Sequence, residues 1–194
     1  MQRGLVLTSC IAATLTRMSV SASLLSTTAE RARPLENVWN YPRPAILDST
    51  TQHEIEIIHD DVLVIRTTDG ARVLETSHPP TIYVPINQIS EEVKLVKSGG
   101  SGSFCEWKGH AQYFDLIVNG KRFQRVAWGY PNPSSESFAP IADMVSFYCS
   151  KVDTCKIDGE ISSPQEGDYY GGWVNSWITG GQRGMKGGPG TRGW

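Results

Sequence analysis

The chain contains two copies of one short motif, Trp-x-Tyr-Pro-x-Pro, at residues 39–44 and 128–133. Proline fixes its own φ angle and keeps the preceding residue out of the helical region, so both motifs must be extended or turned. Two further dense blocks lie between them, LETSHPPTIYVP at residues 74–85 and CEWKG at residues 105–109. Because each block presents aromatic and polar side chains from a stiff backbone, the sequence predicts a preorganised pocket.

Length and composition indicate one globular domain. The chain has 194 residues, of which 39% are hydrophobic and 20% charged, enough for a substantial core. No apolar run reaches the ~20 residues of a membrane helix, so no membrane insertion is expected. The net charge of −2 at pH 7 disfavours nucleic-acid binding, which needs a basic surface. Composition leaves the oligomeric state open.

The N-terminal segment has the composition of a targeting sequence. Its first 29 residues include two arginines, no acidic residue and ten Ser or Thr, which is typical of an organellar transit peptide. A secretory signal is an alternative, since Val-Ser-Ala at residues 20–22 suits cleavage, and an N-terminal tail without a targeting role is another. We expect residues 1–33 to be a leader that is removed.

Glycine content divides the remaining chain. The last 36 residues hold 11 of the 19 glycines, so we expect a core domain at residues 34–160 and a Gly-rich C-terminal extension at residues 161–194. The final stretch, 180–194, contains basic residues and no acid. Such a segment is expected to be flexible or to wrap around the domain.

Alternation of apolar and polar residues predicts two β-hairpins. Residues 53–66 alternate around Asp60-Asp61. Residues 111–128 alternate around Asn119-Gly120, a pair that suits the positive φ angles of a type I′ turn. Because that turn pairs its flanking strands, it brings the CEWKG block and the second Trp-x-Tyr-Pro-x-Pro motif to the same end of the hairpin.

One helix is predicted near residues 138–150, where apolar residues recur at spacings of three and four after Pro140. The predicted fold is therefore α+β and mostly β, with two antiparallel sheets and one main helix. The expected core comprises Ile57, Val64, Val73, Leu116, Val118, Val126, Ile141, Val145, and Phe147 or Tyr148.

Glu75 and His78 are candidate catalytic residues. An imidazole titrates near neutral pH and a nearby carboxylate can raise its pKa, so the pair suits proton transfer. The alternative is structural: Glu75 stabilises the turn and His78 hydrogen-bonds to the backbone. Cys105 is a weaker candidate, because a nucleophilic thiol needs a lowered pKa, and we favour a non-nucleophilic role.

Lys108 and five aromatic residues are candidate ligand-binding residues. On a strand, Lys108 would face away from Cys105 and Trp107, whereas a bulge at Gly109 would turn it inward to bind an anion. The aromatic rings could form a box for a ring, a sugar or a cation, or belong to the core. These five are Trp39, Tyr41, Trp107, Trp128 and Tyr130.

No metal or cofactor is predicted. The cysteines form no C-x-x-C pair, and the histidines are not at ligand spacing from a cysteine pair. The glycine-rich run at residues 98–103 lacks the Lys-Ser/Thr of a phosphate-binding loop. Because isolated buried charges are costly, we expect six residues to surround one cavity: Glu75, His78, Trp107, Lys108, Trp128 and Tyr130.

The blocks together resemble a family named domain of unknown function 427, which also carries a nucleotidyltransferase-like label. The resemblance covers residues 37–160 and rests on VWNYPRP, RVLETSHPPTIYVP, CEWKGHAQYFD and AWGYPNP. It implies a small, mostly β domain of the bent-sheet, β-tent kind, and it implies no accepted reaction. FYCSKVDTCKIDGE and the YGGW…KGGPGTRGW tail resemble versions from oxygenic phototrophs, which favours a plastid destination over a mitochondrial one or the secretory route.

The sequence thus supports three functions. The first is a site for a small-molecule ligand of unknown identity, including a cofactor-independent enzyme that uses Glu75 and His78. The second is a non-catalytic module that binds a ligand or, through the Gly-rich tail, a partner. The third is the nucleotidyl transfer of the family label, although the chain has no Asp-x-Asp pair for metal-bound phosphates.

Overall fold

The computed structural model describes residues 33–50, 52–167 and 169–191. The predicted leader at residues 1–33 lies outside these residues, apart from Arg33, as does the end of the tail at residues 192–194. Within the described part, no helix is long and apolar enough to span a membrane.

The described residues form seventeen strands and five short 3-10 helices. In chain order the strands are β1 (Glu36–Asn37), β2 (Ile46–Asp48), β3 (Ile55–His59), β4 (Val62–Thr67), β5 (Ala71–Leu74), β6 (Thr81–Pro85), β7 (Lys94–Lys97), β8 (Phe104–Cys105), β9 (Gly109–His110), β10 (Gln112–Val118), β11 (Lys121–Gly129), β12 (Met144–Phe147), β13 (Thr154–Ile157), β14 (Glu160–Ile161), β15 (Ser163–Pro164), β16 (Trp173–Val174) and β17 (Ile178–Thr179). The 3-10 helices are Val38–Asn40, Ile86–Gln88, Glu136–Ile141, Cys149–Lys151 and Gly181–Arg183.

The largest sheet has seven antiparallel strands in the order β2-β5-β6-β12-β11-β10-β7. Its β10–β11 hairpin turns at Asn119 and Gly120, whose φ angles are 49° and 73°. Tyr113 pairs with Trp128 at the other end of this hairpin. The second predicted hairpin and its type I′ turn are therefore confirmed.

The second large sheet has four antiparallel strands in the order β14-β13-β3-β4. Its β3–β4 hairpin turns at Asp60 and Asp61, both with positive φ, so the first predicted hairpin is also confirmed. Three further sheets have two strands each among the described residues, and one of them, β1–β17, is parallel.

The seven-stranded sheet is apolar on both faces. On β6, Ile82 and Val84 belong to one buried cluster and Tyr83 belongs to another, as alternation along a strand requires. The first cluster includes Ile57, Val64, and Cys155 and Ile157 of β13, so it lies between the two large sheets. All the predicted core positions are buried, and that prediction is confirmed.

The predicted helix near residues 138–150 is wrong. Two different elements share its apolar spacing: a 3-10 helix that buries Phe138 and Ile141, and strand β12, which buries Val145 and Phe147 on one face. Pro140 has no N–H group to donate within a continuing helix. The backbone at residues 144–147 instead pairs with β6 and β11, which makes the fold mostly β.

Residues beyond 160 add large side chains to the core. Trp173 is 1% exposed and donates a hydrogen bond from Nε1 to the Phe147 carbonyl at 3.0 Å. Trp177 and Ile178 belong to the cluster between the sheets. Backbone bonds tie the same segment to the loop before β6: Trp173 N donates to Pro80 O, and Lys186 N donates to Ser77 O, both at 2.8 Å.

A buried ion-pair network connects β1, β2 and β5. Arg72, whose side chain is 7% exposed, donates to Asp48 at 2.7 Å and to Glu36 at 3.1 Å. The Tyr41 hydroxyl donates to Glu36 at 2.6 Å, and burial beside that carboxylate raises the Tyr41 pKa. The first Trp-x-Tyr-Pro-x-Pro motif is therefore attached to the sheet through Tyr41.

We predict that Arg72→Ala lowers the free energy of unfolding by about 3–5 kcal/mol, because it leaves two carboxylates without their cation in a poorly solvated site. Urea denaturation measures this. Lys121→Ala is the control: it breaks an ion pair to Asp60 in which the lysine is 63% exposed, and it should cost less than about 1 kcal/mol. Equal losses in both variants would contradict the buried network.

Candidate functional site

A cavity of about 410 Å³ lies on the face of the seven-stranded sheet that is turned away from the four-stranded sheet. Its floor consists of Val73 on β5, Tyr83 on β6, Tyr113 on β10 and Trp128 on β11. Tyr148, just after β12, lies against Trp128 with ring centroids 4.3 Å apart. Strands β5 and β6 on one side of β12, and β11 and β10 on the other, therefore supply a largely aromatic surface.

The CEWKG block forms one wall of the cavity. It is the tight connection between β8 and β9, and Gly109 has a φ of +90°, which favours glycine. Cys105, Glu106, Trp107 and Lys108 all line the cavity, so the turn directs inward the lysine that a regular strand would have directed away.

Lys108 is the most deeply buried cation of the site. It is 8% exposed, and its Nζ lies 5.4 Å from the centroid of Tyr130 and 5.7 Å from that of Phe138. Burial lowers its pKa, against the opposing effects of Cys105 and Glu75. Among the described residues, no carboxylate oxygen lies within 4.0 Å of its Nζ.

Glu75 lies at the same cavity beside an aromatic and a cationic partner. The Trp107 indole N–H donates to its Oε1 at 3.4 Å, and Arg43 Nη1 is 4.0 Å from that oxygen. Arg43 also donates to Glu106 at 3.2 Å. Both carboxylates of this wall are thus near the Arg43 guanidinium.

His78 ends the turn that begins at Glu75. Its backbone N–H donates to the Glu75 carbonyl at 3.0 Å, while its ring packs edge-on against Tyr170 with centroids 4.6 Å apart. Burial lowers the pKa of His78 to about 4, with further lowering by Lys186, Lys108 and Arg43. The imidazole is therefore neutral at pH 7, and it makes no direct hydrogen bond to the Glu75 carboxylate.

Three phenol groups of the cavity are protonated at neutral pH. Burial raises the pKa of Tyr83, Tyr130 and Tyr148, and the neighbouring aromatic hydroxyls add to this effect. Tyr83 is fully buried, and its hydroxyl makes no direct hydrogen bond among the described residues, although the Trp128 indole opposes the rise in its pKa. These hydroxyls can donate hydrogen bonds into the cavity.

The C-terminal segment forms the remaining wall. Tyr169, Tyr170, Gly171 and Lys186 line the cavity, and Lys186 is 9% exposed. Gly171 lies directly on the Trp128 ring: a Cβ at this position would be 1.9 Å from Trp128 Cη2, so a larger residue would displace the segment. Sequence reasoning missed these residues, as well as Arg43, Tyr83, Tyr113 and Tyr148.

The expectation of one cavity is confirmed for its six residues, since Glu75, His78, Trp107, Lys108, Trp128 and Tyr130 all line it, and Cys105 does so too. Trp39 and Tyr41 do not line it. The Trp39 indole donates to the Gly184 carbonyl at 2.8 Å, with the Arg183 guanidinium over its ring, and Tyr41 belongs to the Arg72 network. In the first motif, Trp39 therefore contacts the C-terminal segment and Tyr41 the Arg72 network, while Arg43 of that motif lines the cavity together with Trp128 and Tyr130 of the second.

Among the described residues, no group of three or more His, Cys, Asp and Glu side chains is arranged to hold a metal ion. The thiols of Cys105, Cys149 and Cys155 are free.

Residues 46–158 match a family model described as "Domain of unknown function (DUF427)", and this range is more than half of the chain. The chain belongs to the DUF427 family. A search of curated proteins found no match. Within the DUF427 range lie the four floor strands, Glu75, His78 and the CEWKG turn, whereas Arg43, Tyr170 and Lys186 lie outside it. The lining of the cavity in this DUF427 protein therefore comes both from the family region and from residues outside it.

The half-buried, neutral His78 predicts a specific pH dependence. Between pH 6.5 and 4 the unfolded chain binds a proton at His78 that the folded chain does not bind, so acidification through this window lowers stability. We expect wild type to lose about 1–3 kcal/mol more than His78→Gln between pH 7 and pH 4, by urea denaturation at each pH. His110→Gln, which replaces an exposed histidine, is the control and should follow wild type. Parallel pH profiles for wild type and His78→Gln would contradict the half-buried neutral imidazole.

Proposed function

We propose that the cavity binds a small organic anion with a planar or apolar body. The observation that supports this most directly is Lys108, a cation that is 8% exposed on the cavity wall and has no carboxylate oxygen of the described residues within 4.0 Å. A buried charge without an ionic partner costs several kcal/mol, and a bound anion would offset that cost.

The other polar groups of the cavity favour the same class of ligand. Lys186 is a second buried cation, and the protonated phenols add neutral donors. The two carboxylates, Glu75 and Glu106, are already near Arg43. Lys108 and these phenols therefore offer donors that suit a ligand with an anionic group.

The aromatic surfaces define the rest of the ligand. Trp128, Tyr148, Trp107 and Tyr170 present ring faces or edges to the same space. Aromatic side chains pack best against flat apolar groups, and a cavity of about 410 Å³ lies within the range of small-molecule sites. A ring that bears one acidic group would pack against the aromatic side chains and pair with Lys108.

Matched pairs of small molecules test this proposal. Phenyl phosphate and benzoate carry an anionic group on a ring, whereas phenol and benzamide have the ring without the charge. We expect the anions to raise Tm in a thermal-shift measurement and the neutral partners to have a smaller effect. The proposal fails if neither anion binds or if the neutral compounds bind equally well.

Lys108→Met should weaken binding of phenyl phosphate by about 10-fold or more, because a hydrogen bond between charged groups contributes about 1.5–3 kcal/mol. The ligand-free variant should keep its stability, since an apolar side chain replaces a buried charge. Isothermal titration calorimetry and urea denaturation measure the two quantities. Lys94→Met, on exposed β7, should bind as wild type does; equal losses in both variants would contradict a direct contact at Lys108.

A catalytic use of the site is a second candidate, and the position of Glu75 favours it. Its carboxylate lines the cavity near both Trp107 and Lys108 and can accept a proton from a ligand bound there. The alternative is a binding module without a reaction.

We predict that Glu75→Gln abolishes conversion of any bound anion while changing its affinity by less than about 10-fold, since the amide keeps the shape of the side chain. Mass spectrometry of ligands after incubation measures conversion. Glu91→Gln, at an exposed position that does not line the cavity, is the matched control and should react as wild type does. If wild type binds anions and converts none, the non-catalytic module is the correct function.

A further inference from the structure

We propose that Gln165 is a positioning residue that holds His78 as the Nε2–H tautomer, so that the imidazole acts in the cavity as a neutral hydrogen-bond donor to the ligand. In this tautomer His78 recognises an acceptor atom of the ligand and does not accept a proton from it. The donor role rests on the proposed anion-binding function, whereas the tautomer is independent of any ligand.

The Gln165 side chain is 4% exposed, and its amide has one favourable orientation. Its Oε1 accepts a hydrogen bond from the Gly172 backbone N–H at 3.0 Å, and its Nε2 donates to the Lys186 carbonyl at 2.6 Å. The reversed amide would place its oxygen against that carbonyl and its NH₂ against the Gly172 N–H. Both contacts would be repulsive, so only one orientation satisfies the two backbone groups.

The nitrogen of His78 that faces this amide is Nδ1. Gln165 Nε2 lies 3.3 Å from His78 Nδ1, and the second hydrogen of the amide nitrogen is directed to that contact. An amide nitrogen can only donate, so Nδ1 must accept and cannot bear a proton. In a neutral imidazole the proton is then on Nε2.

The surroundings of His78 determine the charge of its ring. The groups around His78 are Lys186, Lys108 and Arg43, all cationic, and the ring of Tyr170. Three nearby cations and burial disfavour a second proton on the imidazole. The ring is therefore neutral, and among the described residues its Nε2 makes no hydrogen bond.

Nε2–H is therefore the polar group of His78 that remains for a ligand in the cavity. A neutral donor next to two buried lysines favours a ligand oxygen that is not itself protonated, such as a carboxylate or phosphate oxygen. Gln165, Gly172 and Lys186 all lie outside the DUF427 match at residues 46–158. The segment beyond the family region thus determines what the histidine of that region can do.

Nitrogen-15 NMR of the imidazole tests the tautomer without any ligand. In wild type at pH 7 we expect His78 Nδ1 to show the resonance of a bare nitrogen and Nε2 that of a protonated one. A protonated Nδ1, or two protonated nitrogens, in wild type would overturn the proposal by itself.

Gln165→Glu should reverse the pattern, because a carboxylate oxygen can accept from Nδ1–H and cannot donate to it. Gln165→Leu should give a mixture of tautomers, since it removes the partner. Gln182→Leu, at an exposed position of the same segment, should retain the wild-type signals. A residue that only filled space would leave the tautomer of Gln165→Glu unchanged, and that result would contradict the role assigned to Gln165.

Adding phenyl phosphate tests the donor role. We expect the Nε2–H signal to shift while Nδ1 stays bare, and we expect Gln165→Glu to bind at least about 10-fold more weakly. If phenyl phosphate binds wild type and the Nε2–H signal does not move, the donor role is wrong. A wild-type protein with the Nε2–H tautomer that binds neither phenyl phosphate nor benzoate would contradict the proposed function and support the tautomer assignment alone.

Discussion

The rest of the structure depends on a seven-stranded sheet that is apolar on both faces. One face packs against the four-stranded sheet, and the cluster between them contains the fully buried Ile57, Val64 and Phe147. No large sheet covers the other face among the described residues. A 3-10 helix, the CEWKG turn and the C-terminal segment cover it instead, and these irregular elements enclose a cavity above Tyr83 and Trp128. Their backbone polar groups need partners in turn, and bonds such as Lys186 N to Ser77 O supply them.

This way of covering a sheet also determines the electrostatics of the site. A regular sheet would have excluded charged groups, whereas the turn and the C-terminal segment bring Lys108 and Lys186 to the edge of an aromatic surface at 8% and 9% exposure. Burial lowers the pKa of Lys108 and, with the neighbouring cations, that of His78, while it raises the pKa of the tyrosines. The cavity therefore contains many hydrogen-bond donors in a poorly solvated space, where each bond to an anion is stronger than in water.

Features with local physical causes were predictable from the sequence. The Asn119-Gly120 turn and the pairing next to it, of Val118 with Lys121 and Leu116 with Phe123, follow from backbone preferences of two residues. The register then shifts between Phe114 and Leu116, so the pairing of Tyr113 with Trp128 was not predictable from the turn. The actual structure of residues 138–150 was not predictable, because apolar residues at spacings of three and four fit a 3-10 helix followed by a strand as well as they fit an α-helix. The Gln165–His78 contact spans 87 residues, and no local pattern around Gln165 indicates it. Trp39 and Tyr41 share a motif with Trp128 and Tyr130 but have different surroundings, since a repeated sequence does not imply a repeated environment.

The division of the site between two parts of the chain bears on what a family match can imply. The DUF427 range contains His78 together with Glu75 and Lys108, but the amide, the ring and the second lysine that surround the imidazole come from residues beyond 158. With those residues absent, the same imidazole would be better solvated, with a pKa closer to its ordinary value, and its Nδ1 would be open to accept a proton. One loop sequence is thus compatible with a proton acceptor in one setting and a hydrogen-bond donor in another. The chemistry at His78 is a property of the complete chain, because the segment that covers the cavity selects between the two.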